Sequence, residues 1–185
     1  FIYSMRKMIL LFTIVLSSMM VYAQSPNAKE VKAIQVFLNQ PSADGTTNAQ
    51  ALGVNVSNPA DWNGVTWSGG NVVAIDWKDK KLAGVLNLEN FKKLKSVDVS
   101  RNQLTGLSVS GSAVLSELNA NRNRLTQLKV DGCTELAKLS VYHNRLLDLE
   151  FSGTPMLVNV NVSSNHLVTL NVSNALNLTT LNCQG

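Results

Sequence analysis

The stretch Leu94–Val114, LKSVDVSRNQLTGLSVSGSAV, is followed at once by Leu115–Glu135, LSELNANRNRLTQLKVDGCTE, in almost the same pattern. Leucine, valine and a single asparagine return at the same places in both segments, each of which is 21 residues long. The pattern continues through residues 136–177 and into the last residues of the chain. A fixed period of this length indicates a repeat protein in which successive copies stack on one another.

Each 21-residue unit, numbered from its first leucine, keeps its first, fourth, sixth and eleventh positions apolar. One unit cannot bury its apolar side alone, so we expect stacked turns to bury these residues in a continuous column. The first position is occupied by Leu94, Leu115, Leu136, Leu157 and Leu178. The ninth position is asparagine in four consecutive units: Asn102, Asn123, Asn144 and Asn165. We expect this structural ladder of amides to satisfy backbone groups that the bend after each strand leaves unpaired.

The second half of each unit repeats the spacing of the first half, as in Leu104, Leu107 and Val109. Alternation of this kind suits an extended strand with one face inward, so strands are predicted on both walls of each turn. An irregular turn over residues 72–93 precedes the regular units, with Lys80 in place of the asparagine. Its predicted core residues are Val72, Ile75, Trp77, Leu82, Val85 and Leu88.

The spelling L-x-x-L-x-L-x-x-N-x-L at this period resembles the leucine-rich repeat (LRR) family. The resemblance implies a repeat solenoid of the α/β-horseshoe class that is here β-dominated. Parallel strands are expected on the concave face, and short strands or irregular 3-10 segments on the convex face. With the leader described below, the repeat is most similar to secreted or surface LRR proteins of bacteria.

The N-terminal region is expected to cover the first turn, because the end turns of a solenoid would otherwise expose core. A helical pattern near Val31 to Leu38 precedes DWNGVTW at Asp61–Trp67, which loosely resembles the N-terminal cap of plant-type LRR proteins. That family has a cysteine on each side of W-x-G-V, where this chain has Asp61 and Trp67. Packing of Trp62 and Trp67 is expected to replace the disulfide.

Residues 1–23 are predicted to be a secretory signal peptide, with residues 1–4 upstream of the natural start at Met5. Arg6 and Lys7 precede a short apolar run that ends in small residues before a cleavage site after Ala23. The alternative, a membrane anchor, needs about 20 apolar residues. The protein is therefore expected to be exported to the periplasm, the cell surface or the medium.

The remaining chain is predicted to comprise a cap with one helix over residues 24–71 and the repeat array over residues 72–185. The array stops eight residues into its fifth regular unit, which leaves Leu178, Leu181 and Cys183 facing outward. A longer protein, with any anchor in the part that follows, is the simpler expectation, and end-on pairing is the alternative. The oligomeric state stays open.

Charge, cysteine content and the absence of recognised motifs argue against nucleic-acid binding, metal binding and catalysis. Without Arg6 and Lys7, 14 cations face 12 anions, so a nucleic-acid partner lacks electrostatic support. Cys133 and Cys183 occupy different repeat positions and are expected to stay unpaired. His143 and His166 have no recurring carboxylate or thiolate beside them, so we predict no metal site. No catalytic motif and no cofactor site is recognised, and the protein is not expected to be an enzyme.

Function is therefore expected from the surface of the solenoid. The third, fifth and seventh positions of the first strand in each unit point away from the core and form a polar strip with one aromatic residue. This strip is a candidate ligand-binding surface, and a merely soluble outer face is the alternative. Its residues are Ser96, Asp98, Ser100, Glu117, Asn119, Asn121, Lys138, Ser140, Tyr142, Asn159, Asn161 and Ser163.

A second candidate is a basic ridge beside the asparagine ladder, which could meet an anionic glycan or an acidic protein patch. A solvated rim that keeps the array soluble is the alternative. The ridge is formed by Arg101, Arg122, Arg124, His143, Arg145 and His166.

Together these features predict a non-enzymatic binding module that recognises protein or glycan through the concave face. One alternative is a structural or adhesive surface component in which the repeats mainly extend the molecule. Another is the recognition part of a longer enzyme. The identity of the ligand does not follow from the sequence.

Overall fold

A computed structural model describes residues 24–185 of the chain, and the predicted signal peptide lies outside these residues. The described part is a β-dominated solenoid with a cap at its N-terminal end, as the sequence predicts. No helix in this part is both long and apolar enough to cross a bilayer. Its helices are α1 (Ala28–Leu38), α2 (Asn48–Leu52) and a 3-10 turn (Pro59–Asp61). Its strands are β1 (Val65–Ser68), β2 (Asn71–Asp76), β3 (Ala83–Asn87), β4 (Ser96–Asp98), β5 (Gln103–Ser108), β6 (Glu117–Asn119), β7 (Gln127–Lys129), β8 (Lys138–Ser140), β9 (Asp148–Glu150), β10 (Asn159–Asn161), β11 (Thr169–Asn171) and β12 (Thr180–Asn182).

The main sheet has seven strands in the order β1-β2-β4-β6-β8-β10-β12. All its pairs from β2 onward are parallel, and Val97, Leu118, Leu139, Val160 and Leu181 are partners in consecutive strands. These partners are 21 residues apart, so the register of the sheet is the period of the sequence. The opposite wall carries two smaller parallel sheets, β3-β5-β7 and β9-β11.

The core lies between the two walls as one continuous cluster. Leu94, Leu115, Leu136 and Leu157 have no solvent exposure and form the predicted inner column. Val85 departs from the prediction, because it is 52% exposed while its neighbour Leu86 is fully buried. The register of β3 against β5 shifts between Gly84 and Val85. The unpaired residue at this shift is Thr105 of β5, so the spacing in the second half of a regular unit does not carry over to β3, which alternates without interruption.

The asparagine ladder ties each turn to the one before it. The amide of Asn123 donates to the carbonyls of Val99 (3.0 Å) and Ala120 (3.2 Å), which belong to two different turns. Its Oδ1 accepts from the N–H of Leu104 at 2.9 Å. Asn144 repeats this arrangement with Ala120, Val141 and Leu125, and Asn165 repeats it with Val141, Val162 and Leu146. Each amide therefore satisfies buried backbone groups of adjacent turns, as the sequence predicts.

The irregular first turn has no asparagine of its own and uses that of the next turn. Asn102 Oδ1 accepts from the N–H groups of both Lys80 and Leu82, at 3.0 Å each. Its amide also donates to the carbonyl of Trp77 at 2.7 Å. Lys80 therefore does not interrupt the stacking, although its side chain cannot join the ladder.

Two small, fully buried residues, Ser112 and Cys133, occupy equivalent positions in consecutive turns. Ser112 Oγ donates to the carbonyl of Leu88 at 3.0 Å, and Cys133 Sγ takes the equivalent place one turn later with the carbonyl of Val109 at 3.2 Å. Burial raises the pKa of the Cys133 thiol to about 11, so it stays protonated at neutral pH. Cys183 is exposed, and the two cysteines are not bonded to each other, in agreement with the prediction.

The cap contains the predicted helix α1 and a second short helix, α2, that the sequence pattern does not predict. Helix α1 begins at its N-cap, Asn27, whose side chain accepts from the N–H of Lys29. Helix α2 begins with a capping box formed by Thr47 and Gln50. The short helix was missed because its five residues cannot show a helical period.

Side-chain amides of the cap protect the edge strand β3. Gln40 accepts from the N–H of Val85 and donates to its carbonyl, both at 2.8 Å. Asn48, which is fully buried, makes the same pair of contacts with Ala83. An edge strand offers unpaired backbone groups to other chains. The cap therefore closes this edge without adding a strand to it.

The main sheet is closed differently, by the antiparallel hairpin β1–β2. Gly69 and Gly70, both at positive φ, form its two-residue turn. Trp62 packs against Trp67 at a ring-centroid distance of 6.0 Å, as expected for a cap without a disulfide. Phe37 of α1 stacks on Trp77 at 5.6 Å and joins the cap to the core of the array.

A buried carboxylate completes this junction. Glu30 is 3% exposed, and its Oε2 accepts from the N–H of Val72 at 2.7 Å. Burial raises the pKa of Glu30 above its ordinary value of 4.5, although the Val72 hydrogen bond acts in the opposite direction. A carboxyl group whose pKa is higher in the folded state than in the unfolded state stabilises the fold at low pH. This contribution is lost as the pH rises from the unfolded-state pKa through the folded-state pKa.

Replacing a ladder amide should weaken the stack. In Asn144→Leu the N–H of Leu125 loses its acceptor, and the carbonyls of Ala120 and Val141 each lose one of their two amide donors. At about 1–3 kcal/mol for a buried group left unsatisfied, we expect a loss of at least about 1 kcal/mol in urea unfolding. The control Asn174→Leu changes an exposed loop asparagine and should stay within about 0.5 kcal/mol. Equal midpoints for the two variants would contradict the structural role.

Glu30→Gln keeps an acceptor for Val72 but removes the charge. We expect its urea midpoint to exceed that of the wild type at pH 7, because the wild type must ionise a buried carboxyl group. The difference should shrink as pH falls below 4.5, where Glu30 is protonated in both states. A difference that grows on acidification would show that the sign is wrong.

Candidate functional site

The outward side chains of the main sheet line a continuous groove with a volume of about 690 Å³. Six consecutive parallel strands, β2, β4, β6, β8, β10 and β12, contribute to it. Residues at the third and fifth repeat positions form its polar surface, because successive residues of a strand point to opposite faces. These polar residues are Asp76, Ser96, Asp98, Glu117, Asn119, Lys138, Ser140, Asn159, Asn161, Thr180 and Asn182.

The fifth position also holds the bend that ends each strand. The Oδ1 atoms of Asp98, Asn119 and Asn161 accept from the N–H two residues further on, at 2.9, 3.3 and 3.1 Å. This is the local hydrogen bond of an Asx turn, which competes with continued strand pairing. Because the oxygen is used in this way, the Nδ2 groups of Asn161 and Asn182 remain in the groove without a hydrogen-bond partner among the described residues.

Charge is unevenly distributed along the groove. Asp76, Asp98 and Glu117 lie in its N-terminal half. Lys138 donates to Glu117 at 2.6 Å, but both side chains are more than half exposed, so this pair contributes little to stability. The C-terminal half carries amides and hydroxyl groups without charge, from Asn159 to Asn182. A ligand along the groove would meet acceptors at one end and amide donors at the other.

Two seventh-position residues of the predicted strip are more buried than those at its third and fifth positions. Ser100 is 3% exposed and does not line the groove, whereas Asn121 is 9% exposed and does line it. Asn121 Oδ1 accepts from Ser140 Oγ at 2.7 Å and from the N–H of Tyr142 at 3.1 Å. In the other turns an Asp or Asn at the fifth position accepts the hydrogen bond of the Asx turn. Ser140 occupies the fifth position in this unit, so Asn121 of the preceding turn supplies the acceptor instead. The chain has already begun to bend at the seventh position, so strict alternation no longer applies.

Tyr142 and Ser163, also at the seventh position, are only partly exposed and do not line the groove. Tyr142 lies at the border between the groove and the basic ridge. The guanidinium of Arg122 lies 5.7 Å from the centre of its ring, and the ring of His143 meets it edge-on at 5.4 Å. The predicted aromatic anchor is therefore already in contact with two ridge residues, which fix its position.

Two groups of residues extend the site beyond the prediction. Asp76 of the irregular first turn and Thr180 and Asn182 of the fifth unit also line the groove. They were missed because only four regular units were used to define the strip. Aligning those two turns on the same repeat positions would have found them.

All six residues of the basic ridge are exposed. Arg101, Arg122 and His143 share the eighth repeat position and have φ values of 58°, 55° and 53°. This left-handed conformation costs a residue other than glycine about 1–2 kcal/mol, and asparagine or aspartate tolerates it best. None of the ridge arginines forms an ion pair in residues 24–185, where Lys138–Glu117 is the single salt bridge.

Residues 24–185 contain no group of three or more histidine, cysteine, aspartate or glutamate side chains placed to hold a metal ion. No known protein family matches the chain. No curated protein is significantly similar to it in sequence.

Within the strip, Asn121 supports the fold whereas Asn159 lines the groove, and matched substitutions can separate these two roles. Asn121→Ala should lower the free energy of unfolding by about 1 kcal/mol or more, because the part-buried N–H of Tyr142 and the hydroxyl of Ser140 lose their acceptor. Asn159→Ala, at an exposed position that lines the groove, should change it by less than about 0.5 kcal/mol. Chemical denaturation of both variants measures the difference, and the reverse order would refute the assignment.

Proposed function

We propose that the protein is a non-enzymatic recognition module that binds a protein segment or a glycan in the groove of the main sheet. The observation that carries the proposal is the unbroken groove across six strands. Its volume of about 690 Å³ falls within the roughly 300–1,000 Å³ of ligand sites in proteins. An extended ligand lying across the strands would meet a new pair of polar side chains at every turn.

We further propose that the solenoid is of the leucine-rich-repeat type and that the protein is exported. The first proposal is supported by the leucine column at position one and the asparagine at position nine, both of which serve the stacking. The second is supported by the character of residues 1–23, with two cations before a short apolar run. Recognition outside the cytoplasm is consistent with both.

The groove is suited to recognition because its backbone is held rigidly. Parallel pairing at a constant register and the Asx turns fix the place of each side chain. Preorganised polar groups reduce the conformational entropy that is lost on binding. Amide donors such as those of Asn161 and Asn182 can bond either sugar hydroxyl groups or peptide carbonyls.

The test uses two sets of probes, an array of immobilised oligosaccharides and a display library of linear peptides. We expect the wild-type protein, without its leader, to select one defined oligosaccharide or peptide. Asn159→Trp, which fills the middle of the groove, should weaken that binding at least about tenfold by steric exclusion. Mass spectrometry should recover the bound probe chemically unchanged.

The matched control is Gln127→Trp, which places the same ring on an exposed strand residue of the opposite wall. It should bind the selected probe like the wild type. Failure of both probe sets to yield a ligand, or equal binding by the two tryptophan variants, would refute the groove as the site. Cleavage of the probe would refute the non-enzymatic role.

A further inference from the structure

The basic ridge is a second polar surface, separate from the groove, and its charge is not neutralised. Arg101, Arg122 and Arg124 are exposed, and their guanidinium groups have no carboxylate within salt-bridge distance in residues 24–185. Asp98, three residues before Arg101, accepts from the N–H of Ser100 and from Asn119 Nδ2. The ridge cations are therefore available to a partner.

The irregular first turn continues the ridge toward the cap. Lys78 and Lys80 are exposed in the bend equivalent to that of Arg101. In the five successive bends, residues 78–81, 100–103, 121–124, 142–145 and 163–166, Asp79 is the single acidic residue. A nearly neutral chain thus concentrates cations along one edge of the array.

The backbone at the ridge indicates that these cations are not required by the fold. The eighth position needs a left-handed residue, for which glycine and asparagine are the favoured choices. Arginine occupies it in two consecutive turns, histidine in the third and serine in the fourth. Arg122 and His143 lie against the ring of Tyr142, whereas a strained residue without such a contact is a reason to look for a function. Arg101 makes no side-chain hydrogen bond or ion pair within the described part of the chain.

We propose that the basic ridge binds a linear acidic polysaccharide that carries a carboxylate on each sugar. Adjacent turns are about 4.8 Å apart, which is close to the length of one sugar ring in an extended chain. The carboxylates on the side of the chain that faces the ridge can therefore meet cations of different turns. Arginine suits this ligand because its planar guanidinium pairs with a carboxylate through two parallel hydrogen bonds.

A polysaccharide fits the ridge better than a nucleic acid does. Single-stranded nucleic acids are bound by aromatic platforms on which bases stack. Tyr142 is the one aromatic residue beside the ridge among the described residues, and Arg122 and His143 lie against its ring. The ridge thus offers charge at regular intervals without a stacking surface.

The test measures binding of polygalacturonate to the protein without its leader by biolayer interferometry at low and high salt. The variant Arg101→Asn/Arg122→Asn removes two ridge charges and relieves the strained positions. We expect its Kd at low salt to rise at least about tenfold and the salt dependence of binding to become shallower. Its urea midpoint should be unchanged or higher, which a purely structural role for these arginines would not allow.

A second variant, Arg124→Gln/Arg145→Gln, removes two charges at positions with ordinary backbone and should weaken binding similarly. The matched control, Lys93→Gln/Lys95→Gln, removes two charges that precede β4, at the other end of that strand from Arg101. It should bind like the wild type, as should the groove variant Asn159→Trp.

Three results would overturn the proposal. One is that the wild type does not bind polygalacturonate even at low salt. Another is that the control loses as much affinity as the ridge variants, which would indicate a nonspecific charge effect. The third is tighter binding to a single-stranded oligonucleotide of equal charge, which would assign the ridge to nucleic acid instead.

Discussion

The hydrogen bonds of the buried asparagines are the interaction on which the rest of the structure depends. Each ladder amide donates to carbonyls in two turns and accepts from the N–H of a leucine in the preceding turn. Aspartate could not donate these bonds, and an apolar residue could neither donate nor accept. The bend after each main strand would otherwise bury unpaired backbone groups. The asparagine therefore makes a sharp turn compatible with a dry interior, and its place in the sequence sets the length of each turn.

A constant turn length has a direct consequence for the surface. Because strand partners are 21 residues apart, equivalent side chains lie side by side along the array. The outward residues of the strands then form one groove, and the exposed residues of the bends form one ridge. The groove and the ridge are therefore adjacent surfaces, and Tyr142 lies at the border between them. They differ in chemistry, since the groove presents acids and amides whereas the ridge presents unpaired cations.

The parts of the fold that repeat could be predicted from the sequence, and the parts that occur once could not. Four aligned units were enough to identify the inner column and the ladder, because every unit obeys the same packing constraint. The second-half spacing of the regular units was applied to β3, where Val85 is exposed and Leu86 is buried, and the irregular turn has no second copy that reveals its different spacing. The structural role of Asn121 was not predicted, because alternation was extended two residues past the end of its strand, where the chain already bends. The closure of β3 by Gln40 and Asn48 depends on contacts over more than 30 residues, which local patterns do not record.

Amide hydrogen exchange tests the central claim most directly. The N–H groups of Leu104, Leu125 and Leu146 each donate to an asparagine Oδ1 of the following turn, at 2.9, 3.0 and 3.1 Å. If these bonds hold the stack, the three amides should exchange as slowly as those of Val99 and Val141, which pair with backbone carbonyls of the next turn. Exchange of the leucine amides at the rate of exposed loop amides, while the other two stay protected, would show that the ladder does not hold the turns together.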